Sequence, residues 1–350
     1  MIRPRAREFG VKLGRLQPGR LNAITDVEGV GVGHVTVVEG DSVRTGVTAI
    51  VPHQDDIFLR KVTAAVDLFN PYGKATGFPQ IMSEGVIETP IMLTETMNTW
   101  QVANAVLEYY SQERGYRVKT LNPVVGETNG GYLTDNLKRR IGNNEVFEAI
   151  KKATSSEGCG LVEEGNVGGG TPMTGYGFKG GIGTASRISG DVTVGVLVQL
   201  NCGEKEDLTI AGVPVGREIK MLEPELSPGN SIMMIVATNV LLDSRQLTKL
   251  AKRAVLGLAR TGTFGGNGSG DFALAFTTDA KSPEEVLGKP VQGDGFLNVL
   301  YQATVEATEE SVVNALFKSE TMIGYQGHTR FELPLDQIRE IFCRYGRPLA

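Results

Sequence analysis

Six consecutive residues, Gly266-Asn267-Gly268-Ser269-Gly270-Asp271, set a hydroxyl, a carboxylate and an amide within a run of glycine. Two kinds of behaviour are open to such a segment. Asn-Gly is the strongest short hairpin signal, and Ser-Gly and aspartate are ordinary loop residues, so it can be a plain tight turn. It can also be a self-cleavage site. The Ser269 hydroxyl attacking the Gly268 carbonyl gives an ester, and hydrolysis of that ester frees a new N-terminus at Ser269. A glycine ahead of the nucleophile lets the backbone be strained without side-chain clash. The freed α-amino group, with an unperturbed pKa of ~7.7–8.0, can then serve as the general base that histidine supplies elsewhere.

Histidine is scarce enough to favour such a base. There are three, His34, His53 and His328. His34 lies in the alternating stretch GVGHVTVV and His53 follows Val51-Pro52 at a strand end, so each reads as structural and a Ser-His-Asp mechanism is unattractive. Cys159, Cys202 and Cys343 are odd in number and dispersed, without zinc-ligand spacing, which fits a reducing compartment. A net charge of −5 from interspersed charges offers no basic face for a nucleic acid. No run of about 20 apolar residues is present to span a membrane, and no continuous apolar segment follows the basic Met1–Arg5 start to make a secretory leader. The expectation is a soluble cytoplasmic protein acting on a small substrate.

The elements that must hold the glycine loop can be read around it. IMMIVATN (232–239) is a nearly continuous apolar run, suited to a strand covered on both faces. Asp243 then reads as a helix N-cap, and Leu247, Leu250, Ala251, Ala254, Val255 and Leu258 recur at helical spacing, predicting a helix that ends near Arg260. FALAF (272–276) reads as a strand directly after the loop. TGVTAIVPH (45–53) and VTVGVLVQLN (192–201) are further strands; Trp100–Arg114, Asn144–Ala153, Leu300–Leu316 and Leu335–Arg344 are further helices. With 350 residues, 41% of them apolar, no long linker and no internal repeat, the pattern predicts one large α/β domain with helices layered on sheets.

Five segments, in order along almost the whole chain, resemble the family of self-processing L-aminopeptidase/D-esterases and β-peptidyl aminopeptidases. They are LNAITDVEGVGVGHVTV (21–37), VVGETNGGYLTD (124–135), GNVGGGTPMTGYGFKGGIGTASR (165–187), AGVPVGREI (211–219) and NGSGDFALAF (267–276). The resemblance implies a four-layer αββα sandwich like that of the N-terminal-nucleophile hydrolases, with different connectivity. It further implies cleavage between Gly268 and Ser269 into an α-chain (1–268) and a β-chain (269–350), homo-oligomers of αβ units, and no metal or organic cofactor. The implied substrates are short peptides, amides or esters whose N-terminal residue is released through an acyl-enzyme on Ser269.

Residue by residue, the resemblance places Ser269 as nucleophile, Tyr176 as a tyrosine lining the site, and Asn239 in VATN as an oxyanion-hole amide, a chemically suitable donor. Asn201 in VQLN is a weaker candidate for that task, equally readable as a strand-end turn residue. Glu127 can receive a substrate amine or be an exposed loop glutamate. Val305, Glu309, Val312, Val313 and Leu316 share one helical face, so Glu309 on an apolar stripe calls for a partner, which a Ser269 ammonium could be; Glu306 and Glu310 project elsewhere and read as solvated. In β-peptidase relatives a glutamate two positions after a serine supports the nucleophile. Here that serine is replaced by Ala307, and Thr308 could substitute only with its hydroxyl turned inward. Lys179 and Arg187 can bind a carboxylate or face solvent.

Two other functions compete. An acyltransferase of the ornithine-acetyltransferase type shares the architecture, but its nucleophile is usually threonine. A non-enzymatic phosphate- or nucleotide-binding protein could use GGGTP or KGGIGT as an anion cradle, although neither has the order of a phosphate-binding loop.

Overall fold

The computed structural model describes residues 3–220, 231–288 and 293–349. The chain first lays down β1 (Gly31–Glu39), β2 (Val43–Val51), β3 (Val62–Pro71), α1 (Phe78–Glu84), β4 (Val86–Ile87), β5 (Ile91–Glu95), α2 (Thr99–Glu108), β6 (Val124–Thr128) and α3 (Asn143–Ala153). A two-strand ribbon, β7 (Thr174–Gly175) and β8 (Phe178–Lys179), leads into β9 (Gly181–Ser189), β10 (Val192–Asn201), α4 (Val215–Glu218), β11 (Ser231–Val240), α5 (Ser244–Ala259) and β12 (Gly270–Lys281). The remainder is α6 (Pro283–Leu287), α7 (Leu297–Lys318), the short pair β13 (Met322–Ile323) and β14 (Thr329–Arg330), and α8 (Leu335–Arg344).

Among the described residues the two large sheets have the orders β1-β2-β5-β6 and β4-β3-β12-β11-β10-β9, beside the two-strand pairs β7-β8 and β13-β14. Three apolar cores account for the layering. Ile50, Leu93 and Val124 of the first sheet meet Leu197, Met233, Ile235 and Leu274 of the second. On the far side of the first sheet, Val47, Ala49, Met92 and Val125 pack against Val102 and Ala105 of α2 and Ala149 and Ile150 of α3. On the far side of the second, Val196, Ile232, Met234, Val236 and Ala273 pack against Leu247, Leu250 and Ala254 of α5 and Val312, Val313 and Leu316 of α7. The order is helices, sheet, sheet, helices, as expected. It explains the unbroken apolar run of β11: Met233 and Ile235 face the other sheet while Ile232 and Met234 face the helices, so neither face reaches water.

The predicted elements stand, with small shifts at their ends. Asp243 caps α5 by accepting from the Gln246 amide at 2.7 Å, and Gln246 returns the bond to the Asp243 amide at 3.1 Å. The predicted helix from Trp100 is α2, which starts at Thr99 and continues over Tyr109–Glu113 as a wider π-turn. The tight turn expected of the central motif is present, closed by the Ser269 amide donating to the Gly266 carbonyl at 3.2 Å, but it links no pair of neighbouring antiparallel strands. Strand β12 runs parallel to β11 and antiparallel to β3, so residues 267–268 join no hairpin. Parallel neighbours need a crossover, here α5, and the glycine loop carries the chain from the end of α5 to the start of β12.

Candidate active site

The crossover brings Ser269 to one end of both sheets. Gly270 pairs with Ser231 at the start of β11, and Ser231 pairs with Asn201 at the end of β10. The loop is pinned there on several sides: the Asn70 amide donates to the Gly266 carbonyl at 2.7 Å, the Tyr72 amide donates to the Ser269 carbonyl at 3.3 Å, and the Gly270 amide donates to the Ser231 hydroxyl at 3.2 Å. Gly268 has φ +85°, a left-handed conformation that a side chain disfavours, although nothing nearby would touch a Cβ. Glycine is therefore required by conformation and not by space.

The Ser269 hydroxyl is buried and donates to Asp271 Oδ1 at 2.6 Å. Asp271 had no role assigned from sequence. The signal was present, because residues i and i+2 of a strand share a face. Burial lifts the Asp271 carboxyl to about 6, against the opposing effect of the Ser269 hydroxyl, the Ile232 amide and the Asn70 side chain. Opposite Asp271 and Asn70 the pairing of β12 with β3 slips, a bulge of the kind that re-aims side chains beside a site.

Glu127 is no exposed loop residue. It lies in β6 with 1% of its surface exposed, and its Oε1 accepts from the Lys74 amide at 2.7 Å. Gly73 separates it from the strand that follows Ser269: a Cβ placed on Gly73 would stand 3.1 Å from Glu127 Oε1 and 3.3 Å from Gly270 Cα. Glu127 Oε2 is buried without a hydrogen-bond partner, and burial raises the carboxyl above its ordinary range.

The two asparagines exchange places. Asn239 sits at the far end of β11, eight residues beyond Ser231 and about 26 Å away at a strand rise of ~3.3 Å per residue. Its amide is spent on the turn between β9 and β10, accepting from the Thr193 amide at 2.8 Å and donating to the Asp191 carbonyl at 2.7 Å. The oxyanion expectation for Asn239 is therefore corrected. Asn201 occupies the end where Ser269 lies. Its Oδ1 accepts from the Thr174 amide at 2.7 Å and its Nδ2 donates to the Asn129 carbonyl at 3.0 Å, linking the glycine-rich segment to the residues that follow Glu127. An amide nitrogen carries two hydrogens, so one donor is left over. Tyr176 is fully buried beneath the loop, its hydroxyl 2.6 Å from that of Thr261 and its backbone at φ +53°. It anchors the loop's first residue.

The charged residues of α7 also depart from expectation. This helix is buried on every side between β9, β10, α5 and the N-terminal segment, so a one-faced stripe does not describe it. Glu309 pairs with Arg260 at 3.1 Å, and its carboxyl is raised by burial. The structure thus satisfies Glu309 without Ser269. Thr308 turns its hydroxyl to the Thr304 carbonyl of its own helix at 2.8 Å and replaces no helper serine. Glu306 and Glu310 are not solvated; both are buried around a fully buried Arg187, at 3.3 and 2.7 Å, and Arg7 reaches Glu310 at 2.8 Å. Removing one partner of such a network leaves a buried unpaired charge, at a cost of about 3–5 kcal/mol. Lys179 is likewise buried, donating to the carbonyls of Gly170 and Gly180 at 3.2 and 2.6 Å, and burial holds its amine well below the ordinary range. The histidines are structural: His34 meets Thr48 and His53 meets the Arg60 carbonyl, each at 2.8 Å, while His328 stacks on Tyr132. Among the described residues no cluster of His, Cys, Asp or Glu is arranged to hold a metal ion, and no helix is long and apolar enough to cross a membrane.

A buried serine joined to a carboxylate at the mouth of two face-packed sheets is the layout of a serine-type hydrolase with an N-terminal-nucleophile-like fold. Residues 22–330 match the model of peptidase family S58, and the chain belongs to that family. It is 40% identical to the β-peptidyl aminopeptidase BapA of Sphingosinicella xenopeptidilytica, over 98% of this chain and 92% of that one. The solved β-aminopeptidase of a Burkholderia species superposes with a TM-score of 0.87 at 36% identity, covering 98% of this chain and 99% of that one. The L-aminopeptidase D-Ala-esterase/amidase of Ochrobactrum anthropi, described as a variant of the Ntn hydrolase fold, superposes with a TM-score of 0.86 at 36% identity, over 99% and 100%. The chain is accordingly an aminopeptidase or amidohydrolase; these matches lend no support to the acyltransferase alternative.

Proposed function

We propose that the chain cleaves itself between Gly268 and Ser269 and then acts as an aminopeptidase whose nucleophile is the new N-terminal Ser269. The observation that carries this reading is the 2.6 Å bond from the Ser269 hydroxyl to Asp271. Asp271 takes the hydroxyl proton as Oγ attacks the Gly268 carbonyl; it then gives that proton to the nitrogen as the C–N bond breaks, so the acyl group passes to oxygen and the nitrogen leaves as the Ser269 amine. Water hydrolyses the ester, leaving a carboxylate on Gly268. In turnover the neutral amine accepts the Ser269 hydroxyl proton, Asn201 Nδ2 donates to the oxyanion, and the carboxylate of Glu127 receives the ammonium of the substrate. The Ser269 ammonium so formed protonates the leaving amine or alcohol as the scissile bond breaks, giving an acyl ester on Ser269, and water hydrolyses that ester to release the acid and restore the hydroxyl. The active unit is the pair of chains 1–268 and 269–350, assembled as homo-oligomers in the cytoplasm and acting on short peptides, amides or esters, with β-amino acyl groups among the substrates.

Intact mass measurement of the purified protein tests the first half: two fragments ending at Gly268 and starting at Ser269 are expected, with hydrolysis of aminoacyl p-nitroanilides. A single 350-residue chain with full activity would refute it. The pH dependence tests the role of Asp271. A carboxyl raised to about 6 is protonated below that value and cannot accept a proton. Conversion of freshly refolded precursor is therefore expected to slow as pH falls through about 6, approaching a tenfold loss per pH unit. Asp271→Asn precursor is expected to convert slowly at every pH.

A further inference from the structure

Strand β3 meets the scissile loop at its bulge, and the contact centres on a side chain to which self-cleavage as described gives no task. Asp271 pairs with Asn70 and Phe272 with Leu68, so Phe69 is the extra residue of the bulge. Phe69 lies against Gly265, where φ is +67° and a Cβ would stand 2.5 Å from Phe69 Cε1. Asn70 follows. Its Nδ2 donates to the Gly266 carbonyl at 2.7 Å, and the same carbonyl accepts from the Ser269 amide at 3.2 Å. Two residues further on, the Tyr72 amide donates to the Ser269 carbonyl at 3.3 Å. The turn that carries the Gly268–Ser269 bond is thus gripped at Gly265, Gly266 and Ser269 by the end of β3 and the residue after it.

Asn70 also faces the proton acceptor. Residues directly opposite in an antiparallel pair set their side chains on one face, with Cβ atoms about 4.5–5.5 Å apart, and Asn70 is the residue opposite Asp271. Asp271 in turn accepts from the Ser269 hydroxyl at 2.6 Å. A ring results: Asn70 to the Gly266 carbonyl, that carbonyl to the Ser269 nitrogen, the Ser269 hydroxyl to Asp271, and Asp271 facing Asn70. A side-chain amide nitrogen carries two hydrogens, one for each of its neighbours in the ring. We propose that Asn70 is the positioning residue of self-cleavage, holding the Gly266 carbonyl with one N–H and the Asp271 carboxylate with the other. The attacking oxygen, the proton acceptor and the departing nitrogen then keep their places. Held in this way, the Gly266 carbonyl stays an acceptor for the Ser269 nitrogen as that nitrogen takes its proton and leaves. The inference rests on the reading of Ser269 as the self-cleaving nucleophile. The donor also suits the base: burial raises the Asp271 carboxyl, and the Asn70 side chain is among the groups that oppose the rise. The other groups around Asp271 are accounted for. Burial pushes the Cys202 thiol, just after β10, well above its ordinary range. Asp67 of β3 stands opposite Ala273 and is answered by Lys252 of α5, and Glu309 of α7 is paired with Arg260.

The test follows cleavage of pulse-labelled full-length chains from cell-free synthesis, wild type, Asn70→Asp and Asn70→Ala, on denaturing gels across buffers from about pH 5 to about pH 9. Asp271 must be charged to take the hydroxyl proton, so a raised carboxyl moves the profile toward higher pH. The wild-type midpoint is expected near 6. Asn70→Asp keeps the shape, loses both donors and sets a second carboxylate against the first. Its midpoint is expected to rise by about two pH units, slowing conversion near neutral pH about tenfold, with the deficit shrinking in alkaline buffer. Asn70→Ala loses the grip on Gly266 and is expected to convert about tenfold more slowly at every pH, its midpoint up by about one unit. A purely structural asparagine would slow conversion without moving either midpoint. If the aspartate variant does not fold, the alanine profile decides. Midpoints equal to that of the wild type, or Asn70→Ala chains converting at the wild-type rate, overturn the proposal while leaving Ser269 in place. A folded wild-type chain that stays uncut overturns the self-cleavage reading itself, and the role of Asn70 with it.

Discussion

The Ser269→Ala protein is expected to run as one full-length chain on a denaturing gel and to show no aminopeptidase activity above about one part in ten thousand of the wild type. Both losses have one cause. Without the hydroxyl there is no group to take the Gly268 acyl function, so the N-to-O shift cannot begin, and the amine base is never released. Removing the nucleophile of a serine hydrolase alone costs a factor of about a million in kcat, so the activity limit is conservative. Cleavage by a contaminating protease is the competing explanation for two fragments, and it predicts that Ser269→Ala is still cut. Ser269→Cys separates the two roles further. A thiol adds to the Gly268 carbonyl by the same route, so fragments are expected to form while hydrolysis of amide substrates falls. An uncleaved Ser269→Ala chain that retained activity would show that another residue is the nucleophile.

Asn201→Ala is expected to lower kcat by about 100- to 1,000-fold with little change in KM, the usual loss when one oxyanion donor is removed. Asn239→Ala is expected to leave kcat within about twofold and to lower thermal stability slightly, because it gives up only hydrogen bonds to the β9–β10 turn. The contrast tests the placement of the site at the end of the sheets where β10 finishes and β12 begins. Asn201 also orients the glycine-rich segment through the Thr174 amide, so Asn201→Asp is the useful partner variant. It keeps that acceptor while losing the donor, and it sets a negative charge where the oxyanion forms. Equal damage from alanine and aspartate assigns the loss to the donor. Activity retained by aspartate would instead make Asn201 a structural link. Steady-state kinetics and a melting curve for each variant decide between these outcomes.

The charged interior of the second helical layer explains why Glu309 looked like a partner for the nucleophile. On one helix, a glutamate among valines demands a cation, and the pattern along the chain does not say which. The cation is Arg260, at the end of α5, brought alongside because α5 and α7 pack together on the same sheet. Arg187 answers Glu306 and Glu310 in the same manner, and through Arg7 the network clasps the N-terminal segment to the core. These pairs join residues from 49 to 303 positions apart, a separation that no local periodicity registers.

What the chain determined by itself was local or chemical in kind. The apolar run of β11, the Asp243 cap, the helical spacing of α5 and the scarcity of histidine are all legible within a window of a few residues, and together with the ordered family segments they singled out Ser269 and the layered fold. The tertiary structure decided the remainder. Asn201 and Asn239 each close an apolar strand and are alike in sequence, but β10 and β11 are antiparallel, so their C-terminal ends lie at opposite edges of the sheet and only one can stand near Ser269. Glu127 became a buried carboxylate because Thr76, after the β3 turn, pairs with Val125 and covers β6. Asp271 came into hydrogen-bond contact with Ser269 because the strand begins at the residue after that serine. Strand direction, long-range pairing and burial are properties of the assembled sheets, and they are what gathered the groups of the candidate site around one serine in a glycine loop.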